Sequence, residues 1–333
     1  MTKVAFVVGH EDSRDSPSDT PEAYWRVLIP ARRFGTAFIL GRGNAAERAL
    51  GADVVWIHQP TCFAAAQLAE DARGQGKPVV LDFSEDPWAR GEVDRPYSDA
   101  RLEACERALA AGSLIAVTSA ALAAGFLPWG EVRVVPAVIP MGPEWDPSLP
   151  ATSARLAWWS DGRQKRGFEL VAPGLRKVMS RTDCRMDHVQ FSHHAPLMQG
   201  LKTDDQRAAR AVRLSAYFEE DQNLTAEGNL RVFRDAVRPA TLHLECYAPG
   251  AYAQTVSDLP LLRAAALGIP SITTREEAPP GALSAAPDEW EAAVTEVLQE
   301  PGHRRALSLA ARSWAESRFT FSSYEAVIKE VTS

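Results

Sequence analysis

Three short stretches of this chain carry residue types that can hold a phosphate or move a proton. In 156–170, LAWWSDGRQKRGFEL, Ser160, Arg163, Lys165 and Arg166 crowd a turn between an apolar strand and a helix. Guanidinium forks match phosphate oxygens, and α/β sheets present ligands at the carboxyl ends of their strands, so the cluster suits neutralising a diphosphate. A solvated turn with ordinary surface charge is the plainer reading. In 257–274, SDLPLLRAAALGIPSITT, a polar start leads into a short apolar helix, a glycine stop and a buried strand. Ser257 can cap, Asp258 lies in the first turn, and Pro260 is tolerated that early. Leu261, Leu262, Ala265 and Ala266 form the apolar face, Gly268 is suited to the C′ position, and Pro270 prevents continuation. A helix start that opens into a cleft offers free N–H groups and partial positive charge to a diphosphate.

The third stretch, 77–88 (KPVVLDFSEDPW), sets Asp82, Glu85 and Asp86 directly after an apolar strand. One of these carboxylates can orient a hydroxyl or take its proton; turn formation before Pro87 explains them equally well. Glu245, at a strand end, is a lesser candidate for a nucleotide contact. Arg26 either meets a phosphate or pairs with a carboxylate. His193 and His194 read as structural or solvent-facing, and Trp158–Trp159 as half-buried strand.

These residues need a scaffold, and the pattern of apolar runs supplies one. Strand-like runs at 4–8, 37–40, 54–58, 79–82, 114–118 and 132–135 alternate with helix-favouring stretches at 22–33, 45–50, 63–75, 99–111 and 120–126. That rhythm predicts a parallel, doubly wound sheet with helices on both faces. Residues 136–150 hold five prolines and no periodic pattern, which reads as a linker. A second series follows: strands at 156–159, 186–191, 241–245 and 271–274, and helices at 168–180, 226–236, 257–267, 288–299 and 303–319. The final stretch, 321–331, is amphipathic and can cross back to the first half. The expected organisation is a first domain over 1–140 together with 321–333, a linker over 141–153, and a second domain over 154–320. Two Rossmann-like halves facing each other across a cleft is the architecture this implies.

At 333 residues, 46% hydrophobic and 24% charged, the chain has the composition of a soluble globular protein with room for two cores. No run approaches the roughly 20 apolar residues of a membrane span, and none reads as a signal peptide. Four scattered cysteines show no metal-ligand spacing, which fits reduced thiols and a cytoplasmic location. A net charge of −7 argues against coating nucleic acid nonspecifically. Arg207, Arg210 and Arg213 recur at three-residue spacing on an expected helix, as do Arg231, Arg234 and Arg238; they read as solvated charges or as a phosphate-tracking face. Gly41–Ala46 matches GxGxxA but follows the second strand and precedes a short helix, so it reads as a turn rather than a dinucleotide fingerprint.

Taken in order, six segments resemble GT-B glycosyltransferases, specifically the GT4-like group with phage-encoded and bacterial members. YWRVLIPARRF (24–34) looks like the group's first helix, KPVVLDFSEDPW like its strand and acidic loop, and LIAVTSAALAAGF (114–126) like its next strand and helix. Residues 132–140 resemble the strand into the linker, 156–170 the "G…KG" loop, and 257–272 the "SDLKxLEaaalGiPvi" motif. The resemblance implies a GT-B fold and transfer of a sugar from a nucleotide-sugar donor, UDP- or GDP-linked, to an acceptor hydroxyl. It further implies a retaining reaction that needs no metal and no other cofactor, in the host cytoplasm if the chain is phage-encoded.

Carried onto this chain, the family pattern assigns catalysis to Asp82, Asp86 and Arg166, the last aligned with the family's lysine before glycine. Donor binding falls to Ser160, Arg163, Lys165, Arg166, Glu245, Ser257, Asp258, Leu259 and Arg263. Three positions depart from the pattern. Arg263 stands where the family has its ribose-binding glutamate, Thr255 where it has the upstream acid, and Ala137 where it has an asparagine. The acceptors suggested are a hydroxymethylated DNA base, a glycan or a virion protein. A non-catalytic nucleotide-sugar or glycan-binding module is the alternative, and a nicotinamide-dependent oxidoreductase a more distant one.

Overall fold

A computed structural model describes residues 2–9, 24–40, 43–89, 97–139, 154–160, 164–190, 209–213, 240–318 and 320–333. Its first half contains β1 (Val4–Val8), a π-helical turn (Tyr24–Leu28) running into α1 (Ile29–Phe34), β2 (Gly35–Ile39), α2 (Ala45–Leu50), β3 (Val54–His58), α3 (Phe63–Gly74) and β4 (Val79–Phe83). It continues with α4 (Asp99–Ala111), β5 (Leu114–Val117), α5 (Ala120–Phe126) and β6 (Val132–Val134). The second half contains β7 (Arg155–Ser160), α6 (Lys165–Arg181), β8 (Arg185–Gln190), β9 (Ala209–Arg213), β10 (Leu242–Glu245), α7 (Ala251–Thr255) and α8 (Leu259–Ala266). Then follow β11 (Ser271–Thr273), β12 (Ala282–Ser284), α9 (Trp290–Gln299), α10 (Pro301–Ser317) and α11 (Ser322–Thr332).

Among the described residues the strands form two six-stranded sheets, parallel throughout, in the orders β2-β1-β3-β4-β5-β6 and β12-β11-β10-β7-β8-β9. The expected α/β class, with two doubly wound Rossmann-like halves, is therefore the observed one. In the second sheet, β7 and β10 are neighbours from which the chain winds outward in both directions. In the first sheet β1 and β3 hold that position. Such reversal points leave a crevice beyond the carboxyl ends of their strands, because the flanking helices diverge to opposite faces.

Strand alternation builds the core. In the first sheet Val7, Ile57, Leu81, Phe83 and Ile115 pack against α3, α4 and α5. The opposite face, with Phe6, Trp56, Val80 and Ala116, packs against Val27, Ala31 and the last helix through Tyr324 and Val327. α11 thus returns to the first half as expected, and its Tyr324 ring lies 5.2 Å from Trp56. The second sheet buries Leu156, Trp158, Leu244 and Ile272 against α6 and α9. Its other face meets α8 and α10 in a cluster that also takes in Trp25, Ile29, Ala137 and Ile139 from the first half.

Several expectations are corrected or extended. Arg210 and Arg213 lie in strand β9, not on a helix, and β9 pairs with β8 from Met186↔Ala209 to Gln190↔Arg213. Their three-residue spacing imitated a helical face in a strand of only five residues. The short elements α7 and β12 were not anticipated, and the helix expected at 22–33 opens with a π turn. The helix expected at 226–236, His193, His194, Arg163, Arg207, Arg231, Arg234 and Arg238 fall outside the described residues.

Candidate functional site

At the carboxyl end of β7, Gln164 decides how the following helix is seated. Its buried Oε1 accepts from the Trp158 indole Nε1 at 3.0 Å and from the Cys246 backbone N–H at 2.9 Å. One side chain therefore ties the ends of β7 and β10 together across the reversal point. Trp158 stacks on Phe168 with 3.9 Å between ring centroids and 12° between planes. Gly167 makes this approach feasible, since a Cβ there would lie 2.2 Å from the Cys246 carbonyl oxygen. Ser160 closes β7, Lys165 opens α6, and Arg166 stands exposed in the first turn of that helix. The first turn contains no acidic residue. Cations there are opposed by the helix macrodipole at about 0.3–1 kcal/mol each, a cost that a bound anion would offset.

The adjoining wall is organised by Arg275, which sequence reasoning missed. Its Nη2 donates to Glu245 Oε1 at 2.8 Å and to the Ser257 carbonyl at 2.9 Å. Its Nη1 donates to Asp258 Oδ1 at 2.8 Å and to the Val256 carbonyl at 3.2 Å. The other oxygen of Glu245 accepts from Thr273 Oγ1 at 2.7 Å. Arg275 thereby fixes the turn that launches α8. Burial pushes the Glu245 carboxyl above its ordinary range against the pull of Arg275. Burial likewise opposes the charge on Arg275, but Glu245 and Asp258 outweigh it and hold the guanidinium protonated.

Ser257 is buried and its Oγ accepts from the Leu259 N–H at 3.2 Å, but it stands one residue before the N-cap, so the expected cap is displaced to Asp258, which was expected in the first turn. Asp258 occupies the N-cap position, with its side chain 32% exposed and its carboxylate turned to Arg275. Leu259 begins α8 and Gly268 follows it in the left-handed region at φ 68°, as expected of a C′ glycine. Leu261, Leu262, Ala265 and Ala266 are all buried. Arg263 is buried too, its guanidinium 5.6 Å from the centre of the Trp25 ring. Beneath it, His243 shares a hydrogen bond with Ser271 Oγ at 3.0 Å. Burial first, and then Arg263 and Arg275, push the His243 pKa down to about 3.

The acidic loop of the first half behaves differently at each carboxylate. Asp82 is fully buried; it accepts from Arg26 Nε at 3.0 Å and from Arg26 Nη2, and it meets His58 Nδ1 at 2.7 Å. Arg26 also donates to the Val135 carbonyl. Arg26 is thus engaged with a carboxylate, one of its two expected roles. Burial alone would raise the Asp82 pKa, but the charge of Arg26 holds it below the ordinary range. A carboxylate so held is a poor proton acceptor. Glu85 spends one oxygen on the Tyr97 hydroxyl at 2.9 Å and the other on the Tyr252 hydroxyl at 2.6 Å. Asp86 is half-buried and accepts from the backbone N–H groups of Trp88 and Ala89 at 2.9 and 3.3 Å.

The structure therefore brings Ser160, Lys165, Arg166, Glu245, Ser257, Asp258 and Leu259 to the carboxyl edge of the second sheet, on both sides of its reversal point. Asp82 stands apart, beneath the helical layer of the first sheet. Gln164 and Tyr252 were also missed. Arg275 stands two residues beyond β11, a cation near a strand end, and what it grips is set by the pairing of β11 with β10. A cavity of about 440 Å³ lined by Lys3, Arg32, Arg33 and Arg48 opens instead at the amino-terminal edge of the first sheet. Its arginines lie in the last turns of α1 and α2, where exposed helix carbonyls account for them.

No family model matches the sequence, and no curated protein matches it. Solved structures do match the fold. A sucrose-phosphate synthase from Thermosynechococcus elongatus superposes with a TM-score of 0.64 at 12% identity, covering 100% of this chain and 98% of its own. HepE of Anabaena, solved in complex with UDP and glucose, gives 0.66 at 11% identity with 100% coverage of both chains. A Listeria monocytogenes protein assigned as a UDP-N-acetylglucosamine 2-epimerase gives 0.55 at 10% identity, covering 99% and 98%. The chain has the fold of GT-B glycosyltransferases.

Proposed function

We propose that this protein transfers a sugar from a nucleotide-sugar donor to an acceptor hydroxyl. The observation that carries the reading is the electropositive first turn of α6, pinned by Gln164 to the end of β10 beside the helix start that Arg275 holds. Transfer needs the leaving diphosphate neutralised as its bond to the sugar breaks. Arg166, with Lys165 beside it in the first turn of α6 and Arg163 close by in the sequence, supplies charge, and the backbone N–H groups of Ser257 and Asp258 supply donors. Asp258, a partly exposed acid at that edge, is suited to sugar hydroxyls rather than phosphate. In this reading the cations and helix starts do the work that a metal would otherwise do, and retention of configuration follows from the family resemblance. The acceptor is a glycan, a protein or a hydroxymethylated DNA base.

A second reading, a module that binds a nucleotide-sugar or glycan without turnover, is favoured by one observation. Arg263, at the position of the family's ribose-binding acid, is buried against Trp25. The epimerase neighbour adds that this fold also serves UDP-sugar chemistry without transfer. A thermal-shift panel of UDP-, GDP- and ADP-sugars tests donor binding, because a ligand at 100 times its Kd stabilises the folded state by about 2.7 kcal/mol. Nucleotide release on addition of acceptor then separates transfer from binding alone. A panel with no shift from any nucleotide or sugar nucleotide rejects both readings.

A further inference from the structure

Glu85 sits on the loop after β4, in the first half, yet one of its two tyrosine partners belongs to the second. Tyr97 precedes α4, whereas Tyr252 lies in α7, and the carboxylate between them is 3% exposed. Buried charge is retained where hydrogen bonds satisfy it, and here each oxygen has a phenol donor from a different half. Around this contact, Ala89 of the same loop packs against a small cluster of Tyr247, Tyr252, Ala253 and Val256.

From Tyr252 the contacts lead directly to the candidate site. Its ring meets Tyr247 edge-on at 5.8 Å and 68°. The Tyr247 backbone N–H donates to Thr274 Oγ1 at 2.9 Å, and Thr274 Oγ1 donates to the Tyr247 carbonyl at 2.6 Å. Arg275, the next residue, stacks 5.9 Å from the Tyr247 ring and grips Glu245, Ser257 and Asp258. A rigid path of packed and hydrogen-bonded groups therefore joins the acidic loop of one half to the α8 helix start of the other.

We propose that Glu85 is a clasp across the cleft: its bond to Tyr252 holds the two halves closed and, through Tyr247 and Arg275, sets the diphosphate-binding turn in place. Closing the cleft and binding a nucleoside diphosphate are then linked, and each favours the other by the same factor. Glu85 is a positioning residue in this account, acting through Tyr252 and not on the substrate. The linkage to a diphosphate rests on the function proposed above; the clasp itself does not.

Tyr252→Phe removes one hydroxyl and leaves the ring on Tyr247, so the variant is expected to fold; Glu85→Gln keeps the shape of the side chain and one acceptor. X-ray scattering of the ligand-free proteins should show a larger radius of gyration for Tyr252→Phe than for wild type, with Glu85→Gln between them. Titration calorimetry with UDP and GDP should show affinity for the nucleotide that binds falling about 5- to 20-fold in Tyr252→Phe, inside the range usual for coupled sites. Tyr97→Phe, which cuts only the bond within the first half, should change both quantities less. An unchanged radius of gyration in Tyr252→Phe overturns the clasp. A larger radius with unchanged affinity keeps the clasp and overturns its coupling to the helix start. If wild-type protein binds no nucleotide, the sugar-transfer reading falls while the scattering comparison still decides the clasp.

Discussion

Arg26 grips both carboxylate oxygens of Asp82 through Nε and Nη2 in a place that water does not reach, with His58 closing the remaining side. The guanidinium also lies 5.6 Å from the centre of the Tyr324 ring, so the pair joins the π turn before α1, the end of β4 and the last helix.

Removing either partner leaves an uncompensated buried charge. Arg26→Ala and Asp82→Ala should each cost about 3–5 kcal/mol, read from the midpoint of urea unfolding. Replacing both with apolar residues of similar volume should cost much less than the sum of the two, because no charge is stranded. If Asp82→Ala abolished turnover with unfolding unchanged, Asp82 would instead be a catalytic group.

Arg166 stands at the other extreme, exposed on a helix start. Arg166→Ala should leave unfolding within about 0.5 kcal/mol of wild type and cost roughly 2–4 kcal/mol in transition-state stabilisation. Steady-state kcat/KM, measured with whichever nucleotide-sugar passes the thermal-shift panel, checks this. Wild-type turnover in the variant would remove Arg166 from the diphosphate site.

His243 titrates in the folded protein at about 3, pushed there by burial and then by Arg263 and Arg275. Its ordinary value is about 6.5, so between these limits the unfolded chain takes up a proton that the folded chain refuses. Stability from this group is complete above about pH 6.5 and is lost as pH falls towards 3, an effect on the order of 4 kcal/mol. His243→Asn, which keeps a side-chain partner for Ser271, should flatten the fall in unfolding free energy between about pH 6.5 and 4.5. Urea melts at several pH values in that window decide it; an unaltered slope would assign the pH dependence elsewhere.

Gly167 and Gly302 make a matched pair, both within helices. An added Cβ at Gly167 would meet the Cys246 carbonyl oxygen at 2.2 Å, whereas one at Gly302 meets nothing within 4 Å. Gly167→Ala should therefore destabilise by about 1–3 kcal/mol or more, and Gly302→Ala should stabilise by about 0.4–1 kcal/mol. Calorimetric melting of the two variants gives opposite shifts if α6 is seated as described.

Residues 257–274 were legible to within one residue because the local signals agreed: a polar start, an early proline, an apolar face, and a glycine that the helix end requires at positive φ; only the N-cap moved, from Ser257 to Asp258. Arg275 was not legible, because its partners come from strand register. Glu245 and Thr273 are set side by side by the pairing of β10 with β11, and sequence spacing carries no trace of that. The acidic loop yielded its position but not its roles, since Asp82, Glu85 and Asp86 point to three different neighbourhoods. α7 escaped notice because five residues opened by Gly250 show no apolar period. The arginines of β9 misled because a period of three means little in so short a strand.

The π turn before α1 also bears on how this molecule can be re-engineered. Within its five residues, Trp25 is delivered to the packing around α8 and α10 while Arg26 and Val27 serve the first sheet. A regular α-turn spaces neighbours by about 100°, so deleting one residue here would rotate what precedes it away from its pocket. Recombining the two sheets with those of a homologue at the proline-rich connection alone would strand the Trp25 anchor and α11 among unfamiliar neighbours. A working chimera has to exchange the π turn, the sheet it crosses to and the carboxyl-terminal helix as one inheritance.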